Sequence, residues 1–293
     1  MATIVESVAV VHGHGRRRAA RVLADAAIRA ALDRAGAAPT DIELLVNAGL
    51  YHDRNLGEPA LAALIQDDIG ANPEDPHVGG HGTFSFDVAN GSCGMLSGLQ
   101  VADGFLRSGT IRRAVVVASD ADPGHRLAPG FPYGRTGAAL VCGWGPDGTG
   151  IQAFRFASAP TSLGDAAGDG LRATVGFAGG RNTLTIEQAP GHLQVAGAWA
   201  GAVAADLLAD EGVEVADLDL VVANPLVPEF LDALASRLGV DRSRLADTDA
   251  GRAAHTAGLG VALDAAGDAL GRGTTLLVSA GAGPIAGAAL VRA

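Results

Sequence analysis

A repeated segment is the feature that most constrains the fold of this chain. Residues 40–47, Thr-Asp-Ile-Glu-Leu-Leu-Val-Asn, resemble residues 216–223, Ala-Asp-Leu-Asp-Leu-Val-Val-Ala. Each copy lies between two stretches of helical periodicity, Ala19–Ala35 and Pro59–Ile69 in one case, Ala198–Asp210 and Pro228–Leu238 in the other. Short apolar runs that alternate with helices predict a layered α/β fold. The repetition predicts two related halves; the alternative is a chance likeness between two hydrophobic βα units.

Turn chemistry marks the predicted joint between the halves. Residues 143–150 read Gly-Trp-Gly-Pro-Asp-Gly-Thr-Gly, and Gly and Pro at this density are typical of turns. The prediction is therefore an N-terminal half of residues 1–146 and a C-terminal half of residues 147–293. A strand of small residues is predicted to end each half, at Gly137–Gly143 and Ala286–Val291.

The composition excludes several classes of function. Of the 293 residues 48% are hydrophobic but only 4% aromatic, and 42 are Gly, which suits helices packed closely on a buried parallel sheet. A net charge of −11 disfavours binding to nucleic acid or to an anionic membrane. The sequence contains no Lys, which excludes a Schiff-base lysine and a P-loop lysine.

Cysteine usage and hydropathy indicate a soluble protein. Cys93 and Cys142 provide neither a disulfide framework nor a CxxC metal site, so we expect no metal and no cofactor. The N-terminus lacks the pattern of a signal peptide, and no apolar stretch reaches the ~20 residues that a bilayer requires. A cytoplasmic location without membrane contact is the expectation.

Two segments carry a resemblance to a known family. Residues 86–99, Phe-Asp-Val-Ala-Asn-Gly-Ser-Cys-Gly-Met-Leu-Ser-Gly-Leu, resemble the nucleophile elbow of the thiolase superfamily, and residues 275–292 resemble its closing strand, glycine loop and strand. The likeness is to β-ketoacyl-ACP synthase III and to the head-to-head acyl-CoA condensing enzymes. It implies a thiolase-like fold of two duplicated halves in α/β/α/β/α layers.

The elbow departs from the family pattern at its nucleophile. The family Cys lies five residues after the Asp and two before the Gly, a position that Ser92 holds here, whereas Cys93 fits only after a one-residue shift. A Ser hydroxyl is too weakly acidic for a helix dipole to ionise, so Ser92 would need an adjacent base. The alternative is that Ser92 only caps the following helix.

The resemblance places two polar partners in the second half. Asn224 falls where type III synthases carry His, and His255 falls near their Asn. His255 would then serve as base or acid, and Asn224 would orient water or a carbonyl oxygen. The alternative for His255 is a core or capping histidine without catalytic function. Ser279 or Ala280 stands where thiolases carry a second Cys, so the thiolase proton relay is incomplete.

Three further positions are implied by the resemblance. Glu58 resembles a base that the head-to-head condensing enzymes supply across the dimer; the alternative is a first-turn Glu that the helix dipole favours. Gly281 and Gly283 would offer a backbone N–H to a tetrahedral oxyanion, or form a plain turn. The run of residues 12–18 replaces the usual first loop, and its arginines would contact coenzyme A or a carrier protein or be solvated.

Two functions follow from these expectations. The first is an acyltransferase of the ketosynthase III type that forms an acyl-enzyme on Ser92 or Cys93, with acyl-CoA or acyl carrier protein as substrate, in fatty-acid, polyketide or other specialised biosynthesis. The second is a catalytically degenerate subunit that supports an active synthase. The chain is expected to form a homodimer or a heterodimer with another thiolase-fold chain.

Overall fold

The structure is a computed structural model, and its described residues cover most of the chain. They are 2–14, 19–52, 59–71, 82–124, 126–159, 171–246, 248–249, 254–281 and 285–293. The predicted Glu58 and Gly283, and most of the arginine run at 12–18, lie outside these residues.

Nine of the eleven described strands form one sheet. The strands are β1 (Ala2–His12), β2 (Leu44–Asn47), β3 (Phe84–Asp87), β4 (Ala114–Asp120), β5 (Thr136–Gly145), β6 (Gly150–Ser158), β7 (Leu171–Ala178), β8 (Arg181–Gln188), β9 (Leu220–Asn224), β10 (Thr274–Gly281) and β11 (Ile285–Arg292). The order in the large sheet is β3-β2-β4-β5-β1-β6-β11-β10-β9, and β7 and β8 form a separate hairpin.

The large sheet has two segments that meet at one register pair. Strands β1 and β6 are antiparallel and pair only at Thr3 and Ile151. On one side of this seam β2 runs parallel to β3 and β4, and on the other side β9 runs parallel to β10. The carboxyl end of β2 and that of β9 are each followed by a loop that leads towards a helix. Such strand ends are where α/β folds place their sites.

Six α-helices cover and separate the sheet segments within the described residues. They are α1 (Ala20–Ala35), α2 (Leu61–Ile69), α3 (Gly94–Arg107), α4 (His192–Asp210), α5 (Pro228–Leu238) and α6 (Gly258–Ala266). Several ends follow the sequence directly: α1 and α5 stop where Gly36 and Gly239 adopt left-handed φ values of 63° and 78°. Pro228 opens α5, where its missing N–H has no acceptor to lose.

Three hydrophobic clusters define five layers. Helices α1 and α2 pack on the outer face of the segment formed by β1 to β5, and α4 and α5 pack on the outer face of β9 to β11. The largest cluster lies between the two segments and contains side chains of α3 and α6, among them Met95 and Leu259. The predicted layered α/β fold is confirmed, whereas the duplication and the boundary at residues 146 and 147 stay predictions.

Some elements differ from the sequence-based expectations. The first helix begins at Ala20, one residue after the predicted start, because Ala19 has an extended backbone and is the N-cap residue. Strand β3, helix α6 and the β7–β8 hairpin have no counterpart among the predicted elements. The hairpin turn at Gly179 and Gly180, with φ of 59° and 75°, is a sequence signal for such a turn that the apolar pattern obscures.

Candidate active site

The predicted elbow is a tight connection between β3 and α3. A single 3-10 turn, Gly91–Cys93, leads directly into α3, with Gly91 at a φ of 49°. At Gly94 a side-chain carbon would lie 3.0 Å from the carbonyl oxygen of Ala48, so the turn can approach the end of β2 only because residue 94 has no side chain. Ser92 and Cys93 are both buried in this turn.

The thiol of Cys93 lies against the start of β11. Its Sγ lies 3.8 Å from the carbonyl oxygen of Ile285 at the start of β11. Burial raises the pKa of this thiol to about 12, so the thiolate that a cysteine nucleophile requires is strongly disfavoured. Helix α3 begins without a side-chain capping hydrogen bond. The capping alternative for Ser92 therefore finds no support in the hydrogen bonds of this helix.

Asn224 joins the elbow to the second half. Its side-chain Nδ2 donates to the carbonyl oxygen of Ser92 at 2.8 Å and to that of His255 at 3.0 Å. The residue is completely buried. Its Oδ1 packs on Gly258, where a side-chain carbon would lie 2.0 Å from that oxygen, and it has no hydrogen-bond partner among the described residues. Both amide hydrogens are thus used to hold two backbone segments together.

His255 lies against the same turn. A side-chain carbon at Gly91 would lie 3.8 Å from His255 Cε1 and 3.9 Å from Nε2, so this edge of the imidazole faces the elbow. The opposite nitrogen, Nδ1, lies 3.9 Å from Oδ1 of Asp120. The histidine is only 4% exposed. The structure therefore brings together the elbow turn, Asn224 and His255.

Aromatic side chains form the walls around the imidazole. The ring of Tyr133 stacks on His255 with centroids 4.3 Å apart, and Tyr51 lies 5.2 Å from it at a tilt of 38°. Phe131 closes the group by edge contacts with both tyrosines. Burial raises the pKa of Tyr133 to about 12, so both Tyr133 and its neighbour Tyr51, whose pKa burial also raises, stay neutral.

Burial also controls the charge of the histidine. It lowers the pKa of His255 below the usual value, and the negative charge of Asp120 opposes that effect without reversing it. The imidazole is therefore neutral at pH 7. A neutral imidazole has the protonation state that a general base requires.

Asp120 is a residue of this site that sequence reasoning missed. It ends β4, is completely buried, and its Oδ2 accepts the backbone N–H of Thr256 at 2.8 Å. Longer contacts from the N–H groups of His255 and Ala257 reach the same oxygen, at 3.3 and 3.4 Å. The available signal was an Asp that closely follows the apolar run Ala114–Ala118, a position at which a buried carboxylate needs specific donors.

The last residue of β10, Gly281, approaches the elbow. A side-chain carbon at Gly281 would lie 3.3 Å from the carbonyl oxygen of Asn90 and 3.7 Å from the backbone nitrogen of Cys93. Ser279 pairs in register with Asn224 and is buried. The predicted oxyanion function of Gly281 stays a prediction.

The β7–β8 hairpin packs over the aromatic walls. Leu184 of β8 lies in a small cluster with Tyr51, and its N–H donates to the carbonyl oxygen of Leu127 at 2.7 Å. The outer strand is exposed along its described length, with Val175 71% and Phe177 75% exposed. The hairpin therefore separates the His255 region from solvent on one side.

A separate cavity of about 660 Å³ lies at the far end of α6. Its walls come from β1, β11 and the end of α6, and include Val5, Leu263 and Val291. None of the predicted site residues lines it. Across the described residues, every helix is too short or too polar to span a bilayer.

Comparison with known proteins gives consistent matches. No family model matches the chain. The chain is 30% identical over 242 residues to a beta-ketoacyl-[acyl-carrier-protein] synthase III of Erythrobacter litoralis, covering 77% of this chain and 68% of the relative. It is 29% identical over 290 residues to the protein of the same name from Sphingopyxis alaskensis, covering 92% and 82%.

A solved structure confirms the predicted thiolase-like fold. The 3-oxoacyl-[acyl-carrier-protein] synthase III of Aquifex aeolicus superposes with a TM-score of 0.79 over 99% of this chain and all of the other, at 18% identity. At this identity the likeness concerns the fold alone.

Proposed function

We propose that this chain, which belongs to the beta-ketoacyl-[acyl-carrier-protein] synthase III family, is an acyltransferase that carries the acyl group as an ester on Ser92. The observation that carries the proposal is the position of His255. Its imidazole is neutral, is buried against Gly91, and is tied to Ser92 through the shared donor Asn224. A Ser nucleophile needs an adjacent base, and the imidazole is the neutral base at this turn.

The proposed first step is acylation of the serine. The Ser92 hydroxyl oxygen attacks the thioester carbonyl while Nε2 of His255 takes its proton. The tetrahedral intermediate then expels the thiolate, which takes the proton from Nε2, so that the carbon–sulfur bond is exchanged for a carbon–oxygen ester bond. In the second step an acceptor attacks the ester carbonyl while Nε2 takes the acceptor's proton; the carbon–oxygen bond to Ser92 then breaks, and Nε2 delivers that proton to the departing serine oxygen.

Backbone donors at the elbow would stabilise the charge that develops on the carbonyl oxygen. The turn precedes the N-terminus of α3, whose free N–H groups create a positive potential. Gly281 lies close enough to the turn to contribute to such a pocket. The sequence predicted that Asn224 orients water or a carbonyl oxygen. In this proposal it positions the site instead, because both of its amide hydrogens bind backbone carbonyls.

The proposed substrates are acyl thioesters of coenzyme A or of an acyl carrier protein. The relatives are named for an acyl-carrier-protein substrate. The aromatic walls around His255 suit an apolar acyl chain, because such a chain gains about 25 cal/mol for each Å² of apolar surface removed from water.

Acyl labelling tests the proposal. Wild-type protein is incubated with acetyl, hexanoyl and decanoyl thioesters, and intact mass followed by peptide mapping locates the adduct. We expect an ester on Ser92 that is absent in Ser92→Ala and present in Cys93→Ala. An adduct on Cys93 that survives Ser92→Ala would contradict the choice of nucleophile.

The second candidate is a non-catalytic subunit of a thiolase-fold pair. It is favoured by the edge of the sheet, where β3 has no described strand on its outer side and Phe84 is 57% exposed. Exposed strand edges of this kind favour pairing with another chain. Failure to acylate with any thioester, together with co-purification of an active synthase, would support this candidate over the first.

A further inference from the structure

We infer that Asp120 is a positioning residue for His255, and that it sets which imidazole nitrogen carries the hydrogen, leaving the lone pair on the nitrogen that faces the elbow. The inference rests on the proposed function, because it concerns the base of that same site. It assigns a function to a carboxylate that the family resemblance does not identify.

Hydrogen bonds fix the carboxylate rigidly. Oδ2 of Asp120 accepts N–H groups from the three consecutive residues 255–257, and Oδ1 accepts the hydroxyl of Thr256 at 2.8 Å. These residues immediately precede α6, so the carboxylate binds the positive end of that helix. The geometry links the carboxylate to the backbone of His255 independently of the imidazole.

The imidazole leaves one nitrogen for this carboxylate. Nδ1 is buried and has no hydrogen-bond partner among the described residues. It lies 3.9 Å from Oδ1 of Asp120. Among the described contacts, this oxygen accepts only the hydroxyl of Thr256. A neutral imidazole carries one hydrogen, and a lone pair directed at a carboxylate would be repelled. The hydrogen is therefore favoured on Nδ1, and Nε2 keeps the lone pair that faces the elbow.

The distance between Nδ1 of His255 and Oδ1 of Asp120 must shorten by about 1 Å for a hydrogen bond to form. When His255 takes the serine proton it becomes a cation, and its attraction to the carboxylate increases in this buried setting. The other titratable groups that pack against the ring are Tyr51 and Tyr133, both neutral. Asp120 is thus the described charge that would stabilise the imidazolium.

A second carboxylate provides a matched control. Asp87 also ends a strand and accepts two N–H groups at the start of a helix, from Leu61 at 2.9 Å and Ala62 at 2.8 Å. Its third donor is the amide of Asn47 at 3.0 Å, where Asp120 has an imidazole nearby. Asp87→Asn removes a comparable structural charge without touching His255.

The experiment measures the tautomer and the acylation rate in the full-length protein. Imidazole nitrogen shifts are recorded by NMR on ¹⁵N-histidine-labelled protein, and the His255 signal is assigned from its loss in His255→Gln. First-turnover acylation is followed by intact mass from pH 5 to 9 with a hexanoyl thioester, in wild type, Asp120→Asn and Asp87→Asn.

Three results are expected together. Wild-type His255 carries its hydrogen on Nδ1. In Asp120→Asn the acylation plateau falls by about 10² to 10⁴-fold and the acidic limb moves to lower pH, since the carboxylate no longer raises the pKa of His255. Asp87→Asn keeps the tautomer and the position of that limb, whatever stability it loses.

Two results would overturn the inference. One is a wild-type hydrogen on Nε2, which can be read even if Asp120→Asn does not fold. The other is a folded Asp120→Asn with an unchanged acidic limb. The first result can be read whether or not the protein acylates. The second requires acyl-Ser92 in wild type, whose absence would instead contradict the proposed function.

Discussion

Two buried asparagines at strand ends show how differently the same side chain is used in the two segments of the sheet. Asn47 ends β2 and stays local: it donates to Asp87 on the neighbouring strand, and its Oδ1 accepts the N–H of Gly49. Asn224 ends β9 and connects distant parts of the chain, donating to the backbone of Ser92 and of His255.

Both side chains are fully buried, so the two asparagines differ in their hydrogen-bond partners and not in burial. The Asn47 amide is satisfied on both sides, as expected for a structural link. The Asn224 amide leaves its Oδ1 without a partner among the described residues. A buried polar atom in that condition is costly. We attribute the arrangement to the need to hold the elbow against His255.

Removing each amide is the strongest test of this comparison. Asn224→Ala removes the side-chain donor to the Ser92 carbonyl and leaves the His255 carbonyl with only the longer contact from the N–H of Gly258, so we expect a loss of about 3 kcal/mol in the free energy of unfolding and loss of acylation. Asn47→Ala should lower stability by about 2 kcal/mol and keep acylation. Urea unfolding and intact-mass labelling measure both; equal losses of activity would remove the distinction.

The glycines that pack on these strand ends give a smaller effect. Gly258→Ala places a carbon 2.0 Å from Oδ1 of Asn224 and should lower stability by about 2 to 3 kcal/mol and slow acylation. Gly94→Ala meets the Ala48 carbonyl at 3.0 Å and should lower stability by about 1 kcal/mol.

A double variant makes this prediction specific. If the clash at residue 258 acts through the amide, Gly258→Ala combined with Asn224→Ala should be no less stable than Asn224→Ala alone, as thermal unfolding would show. Simple addition of the two losses would mean that the methyl group disturbs something other than Asn224.

The pH dependence of stability sharpens the comparison on the Asn224 side. The pKa of His255 is lower in the folded than in the unfolded protein, so the unfolded chain binds more protons between the two values. Stability should therefore fall as the pH drops below about 6.5, with a slope of at most about 1.4 kcal/mol per pH unit. His255→Gln should flatten this slope in chemical unfolding, whereas His192→Gln should leave it unchanged.

The smallest predicted effect concerns Asp25 of α1, which packs on the sheet segment that contains Asn47. Its effect on the pH dependence of stability has the opposite sign. Burial and the neighbouring Asp68 raise the pKa of Asp25 to about 7, so the folded state holds a proton that the unfolded state releases above pH 4. Stability should decline from pH 4 to 7, by about 1 kcal/mol because the group is partly exposed. Asp25→Asn should abolish the decline; Asp33→Asn, on the exposed face of the same helix, should not.

The sequence predicted the layers because they depend on local patterns. Apolar periodicity and terminal glycines place α1 and α5 closely, and the fully apolar run of β4 identifies a buried strand. The hairpin β7–β8 is different: apolar residues alternate along β7, but Val175 and Phe177 are exposed rather than buried in the layers, so the strand does not belong to the core pattern.

The site was predictable only in part, for a physical reason. Ser92 and Cys93 occupy the same turn, and the thiol of Cys93 contacts β11, 192 residues away along the chain. Asp120 acquires its significance from the helix start at residues 255–257, a contact between segments that no local pattern encodes. The positions of Asn224 and His255 came from family resemblance, and their chemical functions stay predictions.

The burial of both cysteines has a practical consequence. Cys93 and Cys142 are free thiols without solvent access, and burial raises the pKa of each to about 12. Alkylating reagents will therefore modify them only during transient openings of the core. Because Cys93 adjoins Ser92, the rate at which it is alkylated under native conditions reports how often the elbow opens. An acyl chain bound at the elbow should lower this alkylation rate.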